Sequence, residues 1–192
     1  MSIRFYFVRH GQSEANLKNN YYNDMDAKLT GLGKAQAVKA GDELKKTGVQ
    51  FKAIFCSPYQ RAIETFRIAI MRADLHGAFA KIDERIGERK FDGIVGREIT
   101  DEYNRSLYDY NSSQALVHGV ETLGALEDRA KWFIGDVIKE YHEGDILIFS
   151  HGIFGLAFRA VIEGRPESGN LYDYALLENG EMEVYEIFDT IA

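Results

Sequence analysis

Phe5-Tyr6-Phe7-Val8-Arg9-His10-Gly11 is an apolar run that ends abruptly in arginine, histidine and glycine, and Ile146-Leu147-Ile148-Phe149-Ser150-His151-Gly152 repeats the pattern near the other end of the chain. Unbroken apolar runs closed by polar residues and glycine suit strands buried on both faces, and such strands belong at the centre of a parallel sheet. A third run, Ala53-Ile54-Phe55-Cys56-Ser57, is closed by Pro58. In sheets of this kind ligands bind beyond the carboxyl ends of the strands. Parallel placement therefore brings Arg9 and His10, Ser57 with the following Arg61, and Ser150 with His151 to one rim. Glycine after each histidine permits a tight turn and the close approach of a ligand to the backbone. Gly152 accordingly joins the candidate binding residues.

Helical periodicity fills the intervals between the strands. Leu29-Thr30-Gly31-Leu32-Gly33 reads as a cap and turn before a helix over residues 34–46, where Ala37, Gly41 and Leu44 share a face. Residues 60–72 form a second helix with Ile63, Phe66 and Ile70 inward, residues 123–141 carry the longest helical pattern, and residues 154–163 follow the last buried strand. Residues 174–177 and 182–188, joined by Asn179-Gly180, read as a closing hairpin. Residues 87–119 are polar, rich in Tyr and Asn and weakly periodic. They predict irregular loops or short helices beside the site, where specificity would reside. Strands alternating with helices predict an α/β three-layer sandwich with a mostly parallel central sheet and helices on both faces. No repeat, low-complexity tract or linker divides residues 1–192, which read as one domain.

Composition narrows the partners. A formal net charge of −7 argues against nucleic acid or an anionic membrane surface as partner, since both demand a basic face. A small anionic substrate is compatible with it if basic residues gather locally. The single cysteine, Cys56, allows no internal disulfide and no multi-cysteine metal site, which fits a reducing compartment; a cytoplasmic location is expected. Met1-Ser2-Ile3-Arg4 leads straight into the first strand without a leader-like apolar segment, and no run approaches membrane-spanning length.

The rim residues point to phosphoryl chemistry. Two guanidiniums can grip a phosphoryl group bidentately, and the start of a helix adds backbone N–H donors. A neutral imidazole fixed through one nitrogen can attack phosphorus with the other, forming a phosphohistidine. His10 is the candidate nucleophile. His151, opposite, would carry positive charge toward the equatorial oxygens of the transition state.

These residues, in this order, resemble the histidine phosphatase superfamily, which includes cofactor-dependent phosphoglycerate mutases and many small phosphatases. Arg9-His10-Gly11-Gln12-Ser13-Glu14-Ala15-Asn16 is similar to the signature around the family's nucleophile, with Asn16 at the place of a phosphate ligand. Leu29-Thr30 with Gly33 resembles the next block, and Ser57-Pro58-Tyr59-Gln60-Arg61-Ala62-Ile63-Glu64-Thr65 the block that supplies the second arginine. Ser150-His151-Gly152 resembles the last, whose histidine binds phosphate. The resemblance covers nearly the whole chain and implies a phosphoglycerate mutase-like fold. The Arg-His-Gly-x-Arg and His-Asp pairs of the acid-phosphatase branch are absent, which favours the mutase-like branch. A general acid is implied too, a glutamate in a stretch like Glu-Arg-x-Phe-Gly. Glu88-Arg89-Lys90-Phe91 fits, although Asp92 stands where the family has glycine, and Glu84-Arg85 one helical turn upstream is the rival. Phe91 favours Glu88. Val120-Glu121-Thr122 with Arg129 resembles the family's Gly-Glu-Ser segment less closely.

Other readings are weaker. No His-x-x-x-His, Cys-x-x-Cys or Asp-rich loop completes a metal ligand set, so neither metal nor cofactor is expected. Cys56 with Arg61 invites a thiolate phosphatase, yet the spacing is one residue short, no glycine turns the loop inward and Pro58 removes a donor. His76, His118 and His142 lack any such context. Tyr21-Tyr22 and the tyrosines between residues 103 and 110 either line a pocket or pack loops. The expected activity is hydrolysis of a small phosphorylated molecule through a phosphohistidine, with His10, Arg9, Arg61, His151 and Glu88 catalytic and Asn16 and Gly152 in binding. A cofactor-dependent phosphoglycerate mutase is the alternative. A non-catalytic phosphate-binding or interaction module of the same fold is a third reading.

Overall fold

The computed structural model describes residues 2–188. Its sheet contains β1 (Ser2–Arg9), β2 (Ala53–Cys56), β3 (Ala80–Ile82), β4 (Gly144–Ser150) and β5 (Met182–Phe188), in the order β3-β2-β4-β1-β5. All neighbours are parallel except β5, which runs antiparallel to β1. Helices α1 (Gly31–Thr47) and α2 (Gln60–Arg72) cover one face. Short helices α3 (Asp101–Leu107) and α4 (Gln114–Val117), with the long α5 (Leu123–Tyr141) and α6 (Gly152–Glu163), lie on the other. This is the three-layer α/β architecture with helices on both faces.

The period of two along each strand sorts the core. Phe5 and Phe7 of β1, with Ile146 and Ile148 of β4, face α5 and α6, whereas Tyr6, Val8, Leu147 and Phe149 face α1 and α2. Both faces must be apolar, which is why the central strands read as continuous runs. Phe7 packs between Phe154 and Phe158 of α6, at ring separations of 6.3 and 5.3 Å. Each such buried ring contributes about 1.5–3 kcal/mol of transfer free energy.

Several boundaries depart from the sequence reading. Helix α1 begins at Gly31 rather than residue 34, because the Thr30 hydroxyl accepts from the Gly33 N–H and caps it there. Its other end is Gly48 in the left-handed conformation, φ 63°. Helix α6 starts at Gly152, directly after His151. Strand β3 escaped the pattern: an edge strand of three largely exposed residues has no room for periodicity. The expected hairpin does not form. Residues 174–177 are not a strand, and β5 pairs with β1 instead, because the buried β1 backbone needs a second partner beside β4. Asn179-Gly180 serves a different end, described below. Among the described residues no helix is long and apolar enough to cross a membrane.

Candidate active site

Register assembles the rim. Arg9 at the end of β1 is level with Ser150 at the end of β4, and the His10 N–H donates to the Ser150 carbonyl at 2.9 Å. The Ser57 N–H donates to the Phe149 carbonyl on the opposite side of β4. His10 and His151 therefore stand side by side with ring centroids 5.1 Å apart. The turn at Asn179-Gly180 clamps this backbone: the Asn179 side-chain amide donates to the His10 carbonyl and the Gly180 N–H reaches the Arg9 and His10 carbonyls.

Gly11 is required for a reason other than ligand access, and Gly152 leaves room for a neighbouring side chain. A Cβ on Gly11 would lie 2.2 Å from the Gly33 carbonyl oxygen, and one on Gly33 would lie 2.0 Å from that of Gln12, so the nucleophile loop and the start of α1 touch backbone to backbone. At Gly152 a Cβ would meet the Arg9 guanidinium carbon at 3.1 Å. The bare backbone there lets Arg9 lie across the start of α6.

His10 is buried, and its neighbours fix its tautomer. Nδ1 lies 2.7 Å from the Gly11 carbonyl, which can only accept, so Nδ1 carries the proton. Nε2 accepts the Arg61 Nε–H at 3.0 Å, and a guanidinium can only donate, so Nε2 is unprotonated and its lone pair holds that hydrogen bond. Burial, then Arg61 and Arg9, hold the His10 pKa well below its ordinary value. His151 is also fully buried, with Nε2 2.7 Å from the Ser57 hydroxyl and the Tyr59 ring 4.8 Å away. Burial first, then Arg61 and His10, push its pKa well down. With no anion bound these neighbours hold His151 in its neutral form, because the cationic surroundings that suit an anion repel a proton; the positive charge expected of it belongs to the state with a phosphoryl group in place.

Two buried neutral histidines carry a stability consequence. Their folded pKa values lie below that of an unfolded histidine, about 6.5, so below that pH the unfolded chain binds protons that the native chain refuses. Stability is fully present above about pH 6.5 and falls on acidification, by up to about 1.4 kcal/mol per pH unit for each histidine. Denaturant unfolding between pH 7 and 5.5 should show a shallower slope for His151→Asn than for wild type. Equal slopes would contradict the neutral assignment.

Arg9 and Arg61 flank His10, and like Arg89 they have no carboxylate ion-pair partner among the described residues. Arg61 is fully buried and sends one amino group to the Asp24 carbonyl. Arg9 donates to the Leu177 carbonyl, and its buried Nε has no partner among the described residues. Arg89, also fully buried, donates through Nε to the Glu121 carbonyl and leaves both terminal nitrogens unpartnered among the described residues. Burial lowers the pKa of Arg9 and of Arg89. Buried cations held by neutral carbonyls keep their field for an incoming anion.

A cavity of about 340 Å³ opens over this rim, lined by Arg9, His10, Asn16, Tyr22, Glu88 and Gly152, and farther out by Lys18, Phe91, Asn104 and Tyr108. Arg61 and His151 adjoin it through His10, Arg61 by its bond to Nε2 and His151 with its ring 5.1 Å from that of His10. Asn16 accepts from the Ser13 N–H and hydroxyl and donates to the Tyr22 hydroxyl, so its amide braces the nucleophile loop. The Glu88 carboxylate sits at the start of α6, accepting from the backbone N–H groups of Arg89, Phe154 and Ile153 at 2.9, 3.0 and 3.3 Å. Arg129, paired with Glu121 at 2.7 Å, donates to the carbonyls of Arg85, Gly87 and Glu88 and fixes this segment. Glu84 is exposed and lines a neighbouring hollow instead. Tyr59 and Thr65 were not singled out by type; Thr65 accepts the Gly11 N–H from inside α2. Burial pushes the Cys56 thiol up to about 12, so it is no thiolate. Among the described residues no group of three or more His, Cys, Asp or Glu is placed to hold a metal ion.

Comparison with known proteins agrees with this geometry. The sequence pattern of the histidine phosphatase superfamily (branch 1) matches residues 5–189, and the chain belongs to that superfamily. It is 32% identical over 154 residues to "Putative phosphoserine phosphatase 2" of Hydrogenobacter thermophilus, covering 78% of this chain and 73% of that protein. To the 2,3-bisphosphoglycerate-dependent phosphoglycerate mutase of Corynebacterium jeikeium it is 35% identical over 104 residues, 53% of this chain and 41% of the mutase. Among solved structures, a mycobacterial glucosyl-3-phosphoglycerate phosphatase complexed with VO3 superposes with a TM-score of 0.78 at 21% identity, covering 94% of this chain and 91% of the other. The phosphoglycerate mutase of Bacillus anthracis str. Sterne gives 0.79 at 18% identity, over 99% and 90%. The fold is phosphoglycerate mutase-like, and its relatives include both phosphatases and mutases.

Proposed function

We propose that this chain is a phosphomonoesterase that works through a phosphohistidine on His10. The observation that carries the reading is the tautomer of His10: a lone pair on Nε2, buried among arginines that no carboxylate neutralises. In the first step the Arg61 Nε–H turns from His10 to a phosphoryl oxygen, Nε2 bonds to phosphorus and the P–O ester bond breaks, while Glu88, having taken up a proton as the dianion bound beside it, gives that proton to the departing alcohol oxygen. In the second, water attacks phosphorus while the Glu88 carboxylate takes its proton, the P–Nε2 bond breaks with its electron pair returning to His10, and inorganic phosphate leaves. Arg9 and Arg61 hold the phosphoryl oxygens, with the Gly152 backbone at the start of α6; Asn16 holds the loop that carries His10. A bound dianion would reverse the local field and draw a proton onto His151.

Hydrolysis is favoured over mutase chemistry because the relative matched over most of both chains bears a phosphatase name, whereas the mutase alignment spans less than half of that protein. Incubation with a panel of phosphorylated metabolites should release inorganic phosphate. Transfer from 2,3-bisphosphoglycerate to 3-phosphoglycerate faster than release to water would establish the mutase instead.

Glu88→Gln should slow alkyl phosphate esters, whose leaving group needs a proton, by about 10²–10⁴-fold, and slow p-nitrophenyl phosphate far less. Glu84→Gln should show no such selectivity. The reverse pattern would move the acid to Glu84.

A further inference from the structure

The tyrosines between residues 103 and 110 part company in the fold. Tyr103 has its hydroxyl sealed in the protein, and Tyr110 gives its own to Glu127. The Tyr108 hydroxyl makes no hydrogen bond to the described residues, and its side chain lines the cavity that holds His10. Burial raises its pKa against the opposing charge of Arg89, so the phenol keeps its proton. Asn104, about one helical turn earlier on α3, lines the same cavity. Its carbonyl oxygen accepts from the Tyr21 hydroxyl at 3.0 Å, while its amide nitrogen has no partner among the described residues. Two donors on one side of α3 are thus left for a ligand.

The wall around them is apolar. Phe91, Ile99, Ile153 and Leu176 supply it. Among the described residues the charged side chains that line the cavity are Arg9, Glu88 and Lys18; the first two belong to the phosphoryl end, and Lys18 is exposed. Arg89 does not line it. Its guanidinium carbon lies 5.6 and 5.3 Å from the ring centroids of Phe91 and Tyr108, which meet the cavity in its place. A cavity of about 340 Å³ has the size that holds a whole small molecule rather than a phosphoryl group alone. With the phosphoryl dianion already at Arg9, a second anion would be desolvated against Ile99 and Ile153 with no enclosed cation to pair with it.

We infer that the alcohol half of the substrate is uncharged, with an apolar body that packs on Phe91, Ile99 and Ile153 and a carbonyl-type acceptor that takes the Tyr108 hydroxyl and the Asn104 amide. This substrate class rests on the phosphomonoesterase reading. Phosphate esters whose alcohol carries a carboxylate, 3-phosphoglycerate among them, are then poor substrates. Tyr108 and Asn104 set specificity and leave the phosphoryl chemistry to the other end of the cavity.

Matched esters test each part: benzyl phosphate, its 4-acetyl and 4-carboxylate derivatives, and the 2-phenylethyl homologues, which carry the same groups one carbon farther out. The better acetyl ester should show a kcat/KM about fivefold above its unsubstituted parent, as neutral hydrogen bonds supply, and about tenfold or more above the carboxylate. Tyr108→Phe should remove most of the acetyl advantage and leave benzyl phosphate within about twofold of wild type. A carboxylate ester turned over as well as the acetyl ester overturns the uncharged class. Equal loss on every ester in Tyr108→Phe, with lowered thermal stability, shows a packing residue and overturns the donor assignment. If benzyl phosphate and p-nitrophenyl phosphate alike neither release phosphate nor label the enzyme, the phosphomonoesterase reading itself falls. Turnover of both without an acetyl preference overturns the substrate class alone.

Discussion

His10→Ala is expected to lower turnover by several orders of magnitude, because it deletes the atom to which the phosphoryl group would be bonded, and no second imidazole can substitute. His151, the nearest, does not line the cavity as His10 does. The fold should survive, since His10 follows β1 and its backbone is held independently by Ser150, Asn179 and Gly180. His10→Gln, closer in volume, controls for packing. Two measurements check the result: steady-state hydrolysis of the best substrate and acid-quenched labelling of the phosphoenzyme. Retention of more than roughly 1% of wild-type activity in the alanine variant would remove His10 from the nucleophile's role.

Arg61→Ala should cost about 10²–10³-fold in kcat/KM and weaken vanadate binding as well, since the guanidinium faces both phosphate and nucleophile. Lysine should not restore it. One ammonium cannot reach His10 Nε2 and the Asp24 carbonyl together while its flat face lies against Tyr22 and Tyr59. The pH profile should change in a defined direction. Burial is the larger cause of the depressed His10 pKa, and Arg61 is the next. In wild type the imidazole stays unprotonated well below pH 6.5, and kcat/KM should show no loss there attributable to His10. Without Arg61 the His10 pKa moves up toward 6.5 but not to it, and an acid limb should enter from below. An unchanged profile in Arg61→Ala would show that the two side chains are not electrically coupled.

Glu88 and Glu84 illustrate where local pattern stops. Both precede arginine, and in the local pattern only Phe91 favours Glu88. In the fold, the Ser150 hydroxyl ties the Ile86 carbonyl to the end of β4, Arg129 gathers the next carbonyls, and Glu88 is turned toward the start of α6 while Glu84 is left exposed. That outcome depends on contacts between residues more than forty positions apart, which no window of sequence contains. Tyr22 is similar. Both it and its neighbour Tyr21 line the cavity, but Tyr21 is buried in the core with its hydroxyl on Asn104, whereas Tyr22 takes the Asn16 amide and lies near Arg61.

The sequence by itself determined the central strands, the helices α2 and α5, and the fact that Arg9, His10, Arg61 and His151 would meet. Its means were local: apolar runs mark strands buried on both faces, and a parallel sheet carries all their ends to one side. The order of the motifs also sufficed to resemble the superfamily to which the chain belongs. Tertiary structure alone decided which strand completes the sheet at β1, because an antiparallel edge is chosen by the backbone groups left unpaired rather than by side-chain pattern. It also decided why Gly11 must be glycine, the reason being the backbone of Gly33. The charge on the two histidines was decided there too. A histidine's protonation follows the dielectric and the cations around it, and burial with Arg9 and Arg61 makes both neutral.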